Sequence, residues 1–233
     1  MKKTATGLLL VALVGGLAAQ AQTADDITTE RHHTVLLENA KVRVFSVTLK
    51  PTERAFVRHE HNYAMITLNN CELVIWASGQ SDILNFRLDA GDVRFIFGGT
   101  SGLRNDRSQE CHLITAEFLD PKVTTFGYQA STGGWDYGAN VLQPPVDPAA
   151  KYENTLSLQL VTMKRVQLLP GDDLPEPSDK AEEVLIALTD LDLKLGSTKV
   201  RNSAGEVLWL PARKSKLVNS GGEPARFAIL EFH

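Results

Sequence analysis

The sequence predicts an all-β protein in which one barrel-forming pattern is used twice. The first observation is alternation. Val42 and Val44 flank Arg43, and Cys71-Glu72-Leu73-Val74-Ile75-Trp76 is rich in β-branched and aromatic residues, with no helical spacing of apolar positions. The second is punctuation by Gly, Pro, Asn and Asp, which marks short strands of a sandwich or barrel. The third is an internal repeat. Val47-Thr48-Leu49-Lys50-Pro51 is answered by Val166-Gln167-Leu168-Leu169-Pro170, and Gly91-Asp92-Val93 by Gly205-Glu206-Val207. Ile114-Thr115-Ala116-Glu117-Phe118 is answered by Ala228-Ile229-Leu230-Glu231-Phe232. The offset is 119 positions early in the repeat and 114 late, which one shorter hairpin in the second copy explains.

Taken in order, the chain opens with Lys2 and Lys3, continues through the apolar stretch from Leu8 to Ala19, and reaches Ala19-Gln20-Ala21. This is the pattern of a secretory signal peptide over residues 1–21, so the expected location is periplasmic or secreted. The apolar run is broken by Gly15 and Gly16 and is shorter than the roughly 20 residues that span a bilayer, so no membrane span is expected. Removing Lys2 and Lys3 leaves 22 basic against 28 acidic side chains, an excess that argues against a nucleic-acid partner. His32-His33 reads as part of a mobile N-terminal segment. The first copy runs from His33 to Asp120 and the second from Tyr152 to His233. Between them, Pro121 to Lys151 is rich in Gly, Pro and Ala and carries Tyr128, Trp135 and Tyr137. It is either a solvated linker or a strap packed across a barrel.

Two cysteines, Cys71 and Cys111, enter an oxidising compartment if the chain is exported, where they either form a disulfide or stay as two buried thiols. Closing that 40-residue loop would stabilise the fold by about 4 kcal/mol on the chain-entropy model.

A Pro-containing turn, the pair His59-Glu60-His61, an apolar strand and then Gly91-Asp92-Val93 leading to Gly98-Gly99-Thr100 resemble the cupins, and the duplication resembles the bicupins. The resemblance covers nearly all of the chain after residue 21 and implies two tandem jelly-roll barrels. It also implies a divalent-metal site, with His59 and His61 as ligands, a Glu four or five residues later and a third His after the second glycine-rich turn. Here Met65 or Ile66 stands in place of the Glu, and the third position falls at about Gly102. In the second copy the equivalents of His59 and His61 are Ser178 and Lys180, and the late position falls near Lys216, so barrel 2 is expected to hold no metal.

Alternate strand residues share a face, so His59, His61 and Tyr63 are expected to point into barrel 1. Two imidazoles begin a metal site but do not complete one, since iron sites of this kind add a carboxylate and catalytic zinc keeps three protein ligands. His112 and the carboxylates Glu60, Glu110 and Glu117 are the available additions. The competing reading makes His59 and His61 remnants of an ancestral site. Without metal, His59, His61 and Tyr63, with Arg58 or Arg104, supply donors for an anionic or hydroxylated small molecule. Either arginine is otherwise a solvated strand-edge residue.

No serine nucleophile motif, phosphate-cradling loop or dinucleotide fingerprint fits the strand pattern. Three functions remain: a module binding a small molecule or partner, a metal-dependent oxygenase or isomerase using Fe, Mn, Ni or Zn in barrel 1, and a structural envelope protein, with a homodimer among the permitted assemblies.

Overall fold

The computed structural model describes residues 23–77, 83–124, 152–177 and 181–233. Every regular element in it is a strand. In the first half, β1 (Asp25–Asp26), β4 (Arg54–His59), β9 (Gly99–Asn105), β6 (Cys71–Ala77) and β7 (Ile83–Leu88) lie side by side in that order. Facing them is a sheet of β2 (His33–Glu38), β3 (Val42–Leu49), β10 (Cys111–Phe118), β5 (Tyr63–Thr67) and β8 (Val93–Ile96). The second half repeats this with β11 (Tyr152–Ser157), β12 (Val161–Leu168), β19 (Ala225–Phe232), β14 (Glu182–Ala187) and β17 (Val207–Leu210) in one sheet. Its other sheet is β13 (Asp173–Leu174), β18 (Leu217–Asn219), β15 (Leu191–Leu195) and β16 (Thr198–Asn202). The result is two tandem jelly-roll barrels.

The repeat offsets appear in the strand registers. Cys111 pairs with Leu49 and Phe118 with Val42, while Ala225 pairs with Leu168 and Phe232 with Val161. The late offset arises chiefly at one hairpin: Cys71 pairs with Leu88 across β6–β7 and Leu191 with Asn202 across β15–β16, so the second copy is six residues shorter there. One extra residue before β14, where Glu183 stands at the place of Tyr63, brings the net change to five. Gly91 and Gly205, the first residues of the repeated turn motif, both adopt positive φ, +88° and +86°, a conformation that only glycine enters without a Cβ penalty.

Strand faces sort the core into three apolar layers. Phe45, Val47, Leu49, Leu73 and Leu113 fill barrel 1, and Leu168, Leu185, Leu193 and Phe227 fill barrel 2. The opposite faces of the two five-stranded sheets that meet carry Val44, Ile66, Ile114, Met163, Ile186 and Leu230, which pack together between the barrels. Apolar residues on both strand faces are thus explained by burial on both sides. The Cys71–Cys111 disulfide joins β6 to β10 and so staples the two sheets of barrel 1.

The N-terminal segment differs from its expectation. Asp25 and Asp26 pair in parallel with Val57 and Arg58 of β4, Ile27 enters the barrel core, and His32 and His33 are buried. The reason is local: Glu30 folds back beneath both imidazoles. Residues 1–22, most of the segment between the barrels, including Tyr128, Trp135 and Tyr137, and positions Ser178 and Lys180 lie outside the described residues.

Candidate functional site

The inner faces of β4, β5 and β10 converge at one end of barrel 1. β4 presents Ala55, Val57 and His59 inward, and β10 presents Leu113, Thr115 and Glu117. Tyr63 opens β5 directly opposite Glu117 in register. These strands bring His59 Nδ1 to 3.0 Å from Glu117 Oε1, with both side chains about 1% exposed. Tyr63 stacks on the His59 ring, centroids 3.8 Å apart. Arg43 lies 3.9 Å from the second oxygen of Glu117 and donates to Glu38 at 2.7 Å.

Burial holds the His59 imidazole below its ordinary range, against the opposing pull of Glu117. A neutral ring facing a carboxylate through Nδ1 donates its one N–H there, which leaves the Nε2 lone pair as an acceptor. Behind it, the His33 ring stands edge-on to His59, centroids 6.3 Å apart. Its Nδ1 donates to Glu30 Oε2 at 2.6 Å, and His32 Nδ1 donates to Glu30 Oε1 at 2.5 Å. His33 Nε2 and Thr115 Oγ1 are buried with no hydrogen-bond partner among the described residues.

The other candidates stand elsewhere. His61 occupies the turn after β4, half-buried, because its carbonyl and that of His59 pack onto Gly98; a Cβ there would sit 2.8 Å from the His61 oxygen. Asn62 pins this turn by accepting the Gly98 N–H at 2.9 Å. His112 pairs in register with Thr48, and since Cys111 and Leu113 point inward, it faces outside and meets Glu110 at 2.7 Å. Arg104 has the same fate on β9, where it pairs with Asp106 on the outer surface. Gly102 lies under the Trp76 indole, with no room there for a histidine. Arg58 is exposed beside Glu60.

The donors present do not make a metal centre. Among the described residues no group of three His, Cys, Asp or Glu side chains is placed to hold a metal ion, and the buried carboxylates beside the histidines, Glu117 and Glu30, are bonded to His59 and to His32 and His33.

Barrel 2 treats the same location differently. Glu231 takes the place of Glu117, and Glu183, opposite it in register, takes that of Tyr63. Lys164 pairs with Glu231, and Arg213 donates to Glu183 at 2.5 Å while its other nitrogens reach the carbonyls of Ser215 and Pro175. Burial raises the Glu183 carboxyl, opposed by Arg213.

This arrangement of two facing sheets per half matches solved structures along most of the chain. This is the cupin fold. A cupin 2 conserved barrel domain protein from Leptotrichia buccalis superposes with a TM-score of 0.53 at 12% identity, covering 86% of this chain and 88% of the other. Salicylate 1,2-dioxygenase from Pseudaminobacter salicylatoxidans gives 0.57 at 13%, covering 88% and 78%. AerE from Microcystis aeruginosa gives 0.53 at 12%, covering 88% and 98%. No family model and no curated protein sequence matches the chain. At these identities the cupin likeness concerns the fold, and function rests on the site.

Of the residues named from sequence, the structure brings His59, Tyr63 and Glu117 together. Sequence reasoning missed Glu30 and His33, whose signal was the spacing Glu30-x-His32-His33. It also missed Asn105 and Asn219, which each bridge two backbone carbonyls: Leu49 and Gln109 in barrel 1, Leu168 and Glu223 in barrel 2.

Proposed function

We propose that the protein is an exported cupin that binds a small hydroxylated molecule inside barrel 1, with barrel 2 serving as its structural partner. The observation that carries this reading is the pair of unpartnered polar atoms, His33 Nε2 and Thr115 Oγ1, in the same interior as His59, Tyr63 and Glu117. An orphaned buried polar group costs about 1–3 kcal/mol, a penalty that a bound ligand's hydroxyls would remove. The Nε2 lone pairs of His59 and His33 accept from such hydroxyls, and Thr115 both donates and accepts. Glu117 makes the interior a poor host for an anion. At the equivalent point of barrel 2 both carboxylates are paired with cations. The leader-like residues 1–21 and the Cys71–Cys111 disulfide support export.

Thr115→Val is the direct test, because it removes the hydroxyl and keeps the shape. It is expected to stabilise the ligand-free protein by about 1 kcal/mol in urea unfolding, and to abolish thermal shifts produced by polyols and sugars. Destabilisation by Thr115→Val would overturn the reading. So would near-stoichiometric metal, measured by plasma mass spectrometry, that disappears in a His59→Ala, His61→Ala double variant, since that result would favour a metal-dependent enzyme.

A further inference from the structure

The outward face of β3 changes character along its length. Val42 and Val44 pack against barrel 2, whereas Ser46 and Thr48, on the same face, line an open groove of about 300 Å³. Thr34, opposite Ser46 in register, adds a third hydroxyl. Arg31 and Lys50 flank these hydroxyls, and neither makes an ion pair with a described residue. Glu53 is the groove's one carboxylate. It is tied down, accepting the Lys50 backbone N–H at 2.9 Å and lying 3.5 Å from His32 Nε2. The His32 side chain is 5% exposed and lines the groove, and its Nε2 makes no hydrogen bond with a described residue. Two cations thus stand against one carboxylate in the groove lining, with Glu30 held beneath the His32 ring, on a chain whose net charge is −4.

We propose that this groove binds a small oxyanion, a carboxylate or a phosphate, held by Arg31 and Lys50 and seated on the hydroxyls of Ser46 and Thr48 against the His32 ring. Charge-assisted hydrogen bonds from guanidinium and ammonium supply the attraction, and the hydroxyl row fixes position. The groove opens outside barrel 1, so the proposal stands apart from ligand binding in the interior.

The test is an NMR titration of the mature protein with sodium phosphate and, separately, sodium malonate, with ionic strength held constant by sodium chloride. Saturable shifts of the His32 ring and Thr48 amide are expected with at least one of the two, with dissociation constants in the millimolar range or tighter, on the order of −4 kcal/mol. They should weaken at least ten-fold in an Arg31→Gln, Lys50→Gln double variant and several-fold in Thr48→Val, while the His59 ring signals stay in place. Shifts that rise linearly up to about 50 mM, well beyond the millimolar affinity expected, would overturn the proposal. So would saturable shifts that persist undiminished in the double variant.

Discussion

Glu30 holds two imidazoles with its two oxygens, and this single carboxylate anchors the segment that carries His33 to the edge of the His59 site. Burial pushes its carboxyl up, but the hydrogen bonds from His33 and His32 outweigh that and hold it at about 2, against an ordinary 4.5. The ionised form is therefore favoured by folding. Its contribution, about 3 kcal/mol, is full above pH 4.5 and is lost as pH falls towards 2. His59 acts in the same sense, because a ring kept neutral by burial stabilises the fold fully above pH 6.5, and that contribution declines below it. Urea unfolding is thus expected to show stability falling in two stages, below pH 6.5 and again below 4.5, with Glu30→Gln removing the second stage. A Glu30→Gln profile parallel to that of the parent would refute the assignment. At this scale the sequence showed residue types but not partners. His59 and Tyr63 were legible through strand alternation, and Glu117 only as one of three available carboxylates. His33 was not, because its partner Glu30 lies in a segment without alternation that joins the barrel through a parallel two-residue pairing.

Strand phase decides which histidines enter the barrel. His59 closes a regular strand and points inward, whereas His61 is displaced into a turn by the close approach of Gly98, and His112 is turned outward by its disulfide-forming neighbour Cys111. The alternation rule put His61 on the same face as His59, and it failed because the strand stops at His59. The duplicated elements were more legible, since both repeat offsets reappear as strand registers and the shortened hairpin lies between β15 and β16. The disulfide acts at this scale by tying the sheet of β6 to the sheet of β10. A Cys71→Ser, Cys111→Ser variant is expected to lose about 4 kcal/mol in urea unfolding, the value for a 40-residue closed loop. A loss below about 1 kcal/mol would mean that the sheets are held chiefly by their side-chain packing.

Across the whole molecule, the layer between the barrels makes the two halves depend on each other. Among the described residues the large apolar side chains left exposed are Val35, Leu36 and Leu169; the broad apolar faces are consumed where the barrels meet. Lys41 reaches Glu182 across this boundary at 2.7 Å, and Arg165 approaches Asp92 at 3.8 Å. Ile186→Ala in barrel 2 is therefore expected to cost about 2–5 kcal/mol and to lower the unfolding midpoint of both halves together. Fluorescence of Trp76 in barrel 1 and Trp209 in barrel 2, each followed with the other tryptophans replaced by phenylalanine, would check this. Two separated midpoints would show that the barrels unfold independently. The sequence showed that there are two barrels but not which sheets meet, because a strand apolar on both faces reads the same whether its second neighbour is a sheet of its own barrel or of the other.

The hairpin between Leu195 and Thr198 turns in two residues, with Gly196 at positive φ, where six residues separate the last pair, Trp76 and Ile83, of the first copy. One half of the molecule thus shows what length the other half can accept. A peptide tag or reporter spliced between Gly196 and Ser197 would extend a connection that the same architecture already tolerates, at a chain-entropy cost that grows by only about 0.6 kcal/mol for each doubling of loop length.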